Sequence, residues 1–197
     1  LYGWDTCDRV IVPDYPKAAD DRLTVSVWVM AENRPNWAMI AGNFGHSRNG
    51  QFQIGLFYAD GSLSGRITQR NGGIVEVRED VSQPLPTFVW QHVAMVADGA
   101  VLQLYRNGKQ VASAPYSGIL PDSPIASLGI GCKTDDEGKD AFIGYPGNDY
   151  WQGRIDELAV FNEAISPDLI MQLYQGSPPQ NSRMGAAAEN EKEDGPM

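Results

Sequence analysis

Hydrophobic and polar residues alternate through most of the chain, and this period of two predicts β-strands. In residues 23–30, LTVSVWVM, a row of leucine and valines alternates with a second row that contains Trp28 and Met30. Because both rows carry bulky side chains, we expect this strand to be central, with a layer packed on each face.

Dipeptides typical of tight turns separate the strand-like runs. Asp60-Gly61, Asp98-Gly99 and Asn107-Gly108 each lie between β-rich segments. An aspartate or asparagine followed by glycine is the strongest short signal for a hairpin. Turns at roughly ten-residue intervals, with a single helix, indicate an all-β sandwich or jelly roll.

The segment 151–174, WQGRIDELAVFNEAISPDLIMQLY, changes its period midway. Its first half is rich in β-formers and predicts a strand. Ser166 then offers an N-cap, Pro167 suits the first helical position, and Asp168 is an early acid. Apolar residues follow at helical spacing, so we predict one short amphipathic helix that ends before Gly176.

The composition is that of a globular domain followed by a polar tail. The 197 residues carry a net charge of −10, which argues against a nucleic-acid partner. No apolar run approaches the length of a membrane span, so we expect no membrane insertion. Residues 177–197 have few apolar side chains and predict a linker or disordered tail after a domain over residues 1–176. The first residue is Leu1, and we expect an excised domain or a mature product of a larger protein.

Three segments together resemble laminin-G-like domains. They are residues 23–31, LTVSVWVMA, residues 89–112, VWQHVAMVADGAVLQLYRNGKQVA, and the closing segment 151–174. The similarity covers about residues 10–174 and extends distantly to pentraxins. It implies a concanavalin A-like jelly roll of two antiparallel sheets. In that fold the last strand returns beside the first, and we expect the helix to plug one end.

The resemblance also implies a function class. Such domains are commonly non-catalytic binding modules of larger exported or cell-envelope proteins, and sugar and calcium binding are frequent among them. We therefore expect a carbohydrate-binding module, located outside the cell or in its envelope. The alternative is a structural domain that contacts an extracellular protein without binding glycan. A glycoside hydrolase is the third hypothesis.

The acidic loop 132–151 is the first candidate for calcium, which prefers oxygen ligands. Asp135 and Asp136 stand near the place where pentraxins carry an acid pair. Where pentraxins carry an earlier Asp-Asn pair this chain has Arg48-Asn49, and arginine cannot bind a cation. This departure argues against a double calcium site, and the alternative is a solvated acidic loop.

Asp156 is the second calcium candidate, because it lies on the closing strand beside Gly153. The alternative is a carboxylate satisfied by backbone donors or by Arg154. Cys7 and Cys132 could form a disulfide, as in an exported protein, or remain two separate thiols.

Ligand contacts are expected from aromatic and polar loop residues. Aromatic rings stack against sugar C–H faces, while amides and carboxylates bind hydroxyl groups. The stretches 36–50 and 132–151 are rich in such residues and could meet at one rim. The candidates are Trp37, His46, Arg48, Asn49, Tyr145, Asn148, Asp149 and Tyr150.

No catalytic constellation is evident from the sequence. Glycoside hydrolysis requires two carboxylates that flank the scissile bond. Asp156 and Glu157 are adjacent, and on a regular strand adjacent side chains point to opposite faces. His92 matches a structural "Trp-x-His" position of the resembled family, and His46 has no evident partner. We therefore expect no enzyme activity.

Overall fold

The computed structural model describes residues 8–58, 60–142 and 149–176, and these form eleven strands and one helix. The predicted tail 177–197 and Cys7 lie outside the described residues. The tail and the Cys7–Cys132 bridge therefore stay predictions. In chain order the strands are β1 Val10–Val12, β2 Arg22–Ala31, β3 Met39–Gly42, β4 Phe52–Leu56, β5 Leu63–Thr68, β6 Ile74–Arg78, β7 Gln91–Asp98, β8 Val101–Arg106, β9 Lys109–Pro115, β10 Leu128–Ile130 and β11 Gly153–Phe161.

The strands form two antiparallel sheets. One sheet has six strands in the order β1-β10-β3-β4-β5-β6, and the other has five in the order β11-β2-β7-β8-β9. β2 lies between β11 and β7, which confirms the prediction of a central strand for residues 23–30. The closing strand β11 returns beside β2, not beside the first strand as the resemblance implied, because β1 pairs with β10 in the other sheet.

The core lies between the two sheets and is built by alternate residues of each strand. Phe52 and Ile54 of β4 face Val25, Met95 and Leu104 of the other sheet, and all five are fully buried. Because the side-chain period of a strand is two, the residues between them point to the outer face of each sheet. Those outer faces carry the features that distinguish this domain.

The predicted hairpins are present. The Asn107-Gly108 turn joins β8 to β9, and both residues have positive φ values of 51° and 76°. These values match a two-residue turn whose twist agrees with that of the strands. The Asp98 carboxylate accepts hydrogen bonds from the N–H groups of Ala100 and Val101 and so closes the turn between β7 and β8.

The helix α1 spans Pro167–Gln175 and begins as predicted, with the Ser166 hydroxyl accepting a hydrogen bond from Leu169 N. The expectation that it plugs one end of the sandwich is wrong. Ile170 packs against Ala94, Val96 and Tyr105, which point away from the main core. The helix therefore covers the outer face of the five-stranded sheet, because that face offers an apolar strip.

The same outer face buries His92. Its Nε2 atom lies 2.9 Å from Ser26 Oγ, and its ring contacts Trp28 and Tyr174 at centroid distances of 5.4 and 6.3 Å. His92 Nδ1 and Trp28 Nε1 are buried without a hydrogen-bond partner. His92 thus serves packing beneath the C-terminal end of the helix, in line with its expected structural role.

Candidate functional site

The outer face of the six-stranded sheet carries a row of polar side chains. Gln53 of β4 lies opposite Arg66 of β5, and Arg66 lies opposite Glu76 of β6. Arg66 Nη2 is 3.1 Å from Glu76 Oε2. Their strand neighbours point into the core, so these three side chains project outward together. We call Gln53, Arg66 and Glu76 the polar row.

Aromatic rings from two loops gather beside the polar row. The Cζ atom of Arg66 lies 4.6 Å from the centroid of the Trp37 ring, and Trp37 stacks on Tyr58 with centroids 5.6 Å apart. Arg78 Cζ lies 4.0 Å from the centroid of Phe57. Both arginines make cation–π contacts, and the rings pack on one another. We call Trp37, Phe57, Tyr58, Arg66 and Arg78 the Trp37 cluster.

This face also holds unmet hydrogen-bonding capacity. Eight buried side-chain polar atoms of the described residues lack a partner, and four of them are on this face. The four are Gln53 Oε1, Arg66 Nε, Thr68 Oγ1 and Glu76 Oε1. Buried polar groups are normally paired, so these four atoms have hydrogen-bonding capacity that a water molecule could meet.

The end of the acidic loop 132–151 lies next to Trp37. Asp149 N donates to Asn36 O at 2.9 Å, and Met39 N donates to Asp149 O at 3.4 Å. Lys133 Nζ is 2.5 Å from the Asp149 carboxylate and 5.9 Å from the Trp37 ring centroid. Trp37 and Asp149 both have positive φ, 59° and 68°. For a bulky residue such as tryptophan this conformation is strained, and strain of this kind concentrates at functional sites.

The structure brings the His46 loop next to the described part of the loop 132–151. The His46 ring stacks on Phe142 at 3.7 Å, and the Tyr150 hydroxyl donates to Phe142 O. Arg48 and Asn49 are exposed on the same loop as His46. Tyr145 and Asn148 lie outside the described residues. Ligand binding by all these residues, and by Trp37 and Asp149, stays a prediction.

Sequence reasoning missed seven residues of this surface: Gln53, Phe57, Tyr58, Arg66, Glu76, Arg78 and Lys133. Tyr58 could have been noticed, because it is an aromatic residue at a hairpin tip beside Asp60-Gly61. The three cations gave no signal, because isolated basic residues in strands and loops are common and only tertiary structure gathers them.

The predicted metal ligands Asp135 and Asp136 are engaged in hydrogen bonds to the protein. Asp135 Oδ1 accepts hydrogen bonds from the N–H groups of Glu137 and Lys139, at 3.1 and 2.9 Å. Asp136 accepts from both the hydroxyl and the N–H of Ser47, and the hydroxyl bond holds the pKa of Asp136 below its ordinary value. Asp135 therefore fastens its own turn, and Asp136 joins its loop to the loop that carries Ser47.

Asp156 lies at a bulge in β11, where the register with β2 shifts between Asp156 and Ala159. Glu157 has a φ of 50°, so the regular alternation that would put the two acids on opposite faces is wrong here. Both residues line one cleft of about 470 Å³, together with Asp8 and Arg9. Asp156 Oδ1 accepts a hydrogen bond from Glu157 N at 2.8 Å, which matches the backbone-donor alternative.

A calcium site receives no direct support from these carboxylates. Across residues 8–58, 60–142 and 149–176, no three histidine, cysteine, aspartate or glutamate side chains converge as a metal-binding group. Calcium needs six to eight oxygen ligands, so the donors that the structure describes do not by themselves fit this ion. Calcium binding through Asp135, Asp136 or Asp156 stays a prediction.

Two facing antiparallel sheets, with a closing strand beside β2, define a concanavalin A-like jelly roll. The chain belongs to the laminin-G-type family of the concanavalin A-like lectin/glucanases superfamily, whose model matches residues 5–171. This match confirms the family and the fold that the three sequence segments indicated. No curated protein matches the sequence significantly.

Solved structures with the same fold include binding domains of enzymes and toxins. Domain 4 of AbnA, an extracellular arabinanase of family GH43 from Geobacillus stearothermophilus, was solved with arabinotriose. It is 20% identical, with a TM-score of 0.60 over 85% of this chain and 71% of that one. The CBM40 domain of the Ruminococcus gnavus IT-sialidase, bound to α2,3 sialyllactose, is 14% identical, with a TM-score of 0.60 over 80% and 84% of the chains.

The binding domain of botulinum neurotoxin DC, in complex with SialylT, is a third similar structure. It is 15% identical, with a TM-score of 0.57, and the match covers 85% of this chain but only 39% of the toxin domain. At these identities the likeness shows the fold alone. Among the described residues, no helix combines the length and apolar character that a membrane crossing requires.

Proposed function

We propose that this domain is a non-catalytic carbohydrate-binding module and that the glycan lies across the Trp37 cluster. The observation that carries the proposal is the Tyr58 ring, which is 50% exposed while stacked on the half-buried Trp37. A rigid, open aromatic ring offers a flat apolar surface to a sugar ring. The polar groups beside it can orient the hydroxyls, as in other ligand sites.

The comparisons support this proposal at the level of class. The superfamily takes its name from lectins and glucanases. Two similar domains were solved with arabinotriose and with α2,3 sialyllactose. We extend the proposal to a domain that works outside the cell or in its envelope, as part of a larger protein. The extracellular arabinanase provides the precedent for that arrangement.

The charges of the site favour binding over hydrolysis. Glu76 pairs with Arg66, Asp60 with Arg78, and Asp149 with Lys133. Glycoside hydrolysis requires one carboxyl group that is protonated and free to donate its proton to the leaving group. An ion-paired carboxylate is poorly suited to that role, so the described acids of this face are structural.

The test is glycan binding by the folded domain and by three variants. We expect Tyr58→Ala and Trp37→Ala to weaken binding by about tenfold each, since both remove a stacking ring. Phe88→Ala is the matched control, because Phe88 is an exposed aromatic residue outside the Trp37 cluster, and it should bind like the wild type. Equal affinity in Tyr58→Ala, Trp37→Ala and the control would contradict the proposed site.

A protein-contact domain is the second candidate, and one observation favours it. Phe88 and Val89 are 70% and 52% exposed in the loop before β7, and Phe88 has a φ of 60°. Adjacent exposed apolar residues held in a strained loop are typical of an interaction surface. This candidate gains weight if the folded domain binds no glycan, while a protein partner binds the wild type but not the Phe88→Ser, Val89→Ser variant.

A further inference from the structure

We propose that the Trp37 cluster selects neutral glycans over glycans that carry carboxylate or sulfate groups. This inference rests on the proposed function and names the chemical class of its ligand. One similar domain was solved with arabinotriose, which is neutral, and another with sialyllactose, which is acidic. The choice between them must therefore come from the residues of this chain.

The first argument is the pairing of charges at the site. Arg66 Nη2 lies 3.1 Å from the Glu76 carboxylate, and Lys133 Nζ lies 2.5 Å from that of Asp149. Arg78 Nη1 lies 3.7 Å from Asp60. Each of the three cations thus has a carboxylate of the protein as its partner. An anionic ligand would have to displace one of these carboxylates or bind beside it, and both are unfavourable.

The second argument is the orientation of the arginines. A guanidinium binds a carboxylate best through two parallel N–H groups on one open edge. In Arg66, Nη2 already bonds to Glu76, and Nε is buried. Trp37 packs on the guanidinium face of Arg66, and Phe57 packs on the guanidinium face of Arg78. The arginines therefore brace the rings, and the Nε–Nη2 edge of Arg66 is closed to a bidentate grip on an acidic sugar.

The third argument is the net charge of the whole chain. The chain carries a net charge of −10, so the long-range field repels an approaching anion. A neutral oligosaccharide feels no such repulsion. Its binding should then depend on stacking and hydroxyl contacts, which respond weakly to ionic strength.

The experiment measures binding to matched pairs of oligosaccharides. Each pair is one neutral chain and the same chain ended by sialic acid, a uronic acid or sulfate, for example lactose and sialyllactose. We expect the neutral member to bind about fivefold more tightly or better. Its affinity should change by less than about twofold between about 50 and 300 mM NaCl.

A charge variant makes the test independent of any one sugar. Glu76→Gln keeps the size of the side chain but releases Arg66 from its carboxylate, so we expect the preference for neutral glycans to fall by about threefold. Glu137→Gln is the matched control. It removes the same charge from an exposed pair with Lys139 on the loop 132–151 and should leave the preference unchanged.

Three outcomes separate this inference from the proposed function. A preference for neutral glycans that falls in Glu76→Gln but not in Glu137→Gln supports the inference. Tighter binding of the acidic member, weakened by salt, overturns the inference and leaves the proposed function standing. Absence of binding to every member of every pair, with folded protein, overturns the proposed function and the inference with it.

Discussion

Acidification should destabilise this domain through His92. The imidazole is 1% exposed and packs against Trp28, with one ring nitrogen 2.9 Å from Ser26 Oγ and the other without a partner. Burial lowers the pKa of His92 from 6.5 to about 4. The protonated ring is disfavoured there because the folded domain provides little of the solvation that water gives a cation.

The size of the effect follows from linkage. A folded-state pKa below the unfolded value means that the unfolded chain binds more protons between pH 6.5 and 4. The free energy of unfolding therefore falls as the pH drops through that window. Each pKa unit is worth about 1.4 kcal/mol, so the full loss is about 3 kcal/mol below pH 4 and about 2 kcal/mol at pH 5.

The assay is urea unfolding of the wild type and of His92→Gln at pH 7, 6 and 5. Glutamine can still bond to Ser26 but does not titrate. Carboxylates titrate in both proteins, so their contributions cancel in the difference between the two. We expect the wild type to lose about 2 kcal/mol more than the variant between pH 7 and pH 5. Parallel losses in the two proteins would refute the argument that burial of His92 controls acid stability.

Two further predictions concern a turn and the metal. Gly108→Ala should melt at a lower temperature than Gly72→Ala. Both glycines have positive φ, 76° and 82°, but only at Gly108 would a Cβ atom approach another side chain, 2.7 Å from Met171 Sδ. Equal melting midpoints in the two variants would show that the Met171 side chain moves aside without loss of stability. If the predicted calcium site exists, saturating calcium should raise the melting midpoint by about 5–10 °C over EDTA. Asp156→Asn or Asp136→Asn should remove that shift, and an unchanged midpoint in the wild type would exclude the site.

The fold was predictable because its signals are local. The alternation in residues 23–30 and the Asn107-Gly108 turn depend on neighbours in sequence, and both are where the sequence predicts them. The bulge at Asp156 and the position of the helix were not predictable in this way. Each depends on how β11 and α1 pack on strands that are distant in the chain.

The candidate site likewise combines a feature that local sequence predicts with contacts that depend on tertiary structure. Trp37 was predicted as a loop aromatic, since its type and its place between strands suit ligand contact. Its association with Arg66 depends on the registers of the six-stranded sheet, and the Lys133–Asp149 pair depends on where a long loop returns. Such contacts are set by tertiary structure, and a single sequence carries no direct record of them.

The position of α1 gives the domain a front and a back. The helix covers the outer face of the five-stranded sheet, whereas the Trp37 cluster lies on the outer face of the six-stranded sheet. Gly176, the last described residue, therefore lies on the side away from the cluster. Immobilisation of the domain through a label at Gly176 would hold the module by its back and present Tyr58 to the surroundings.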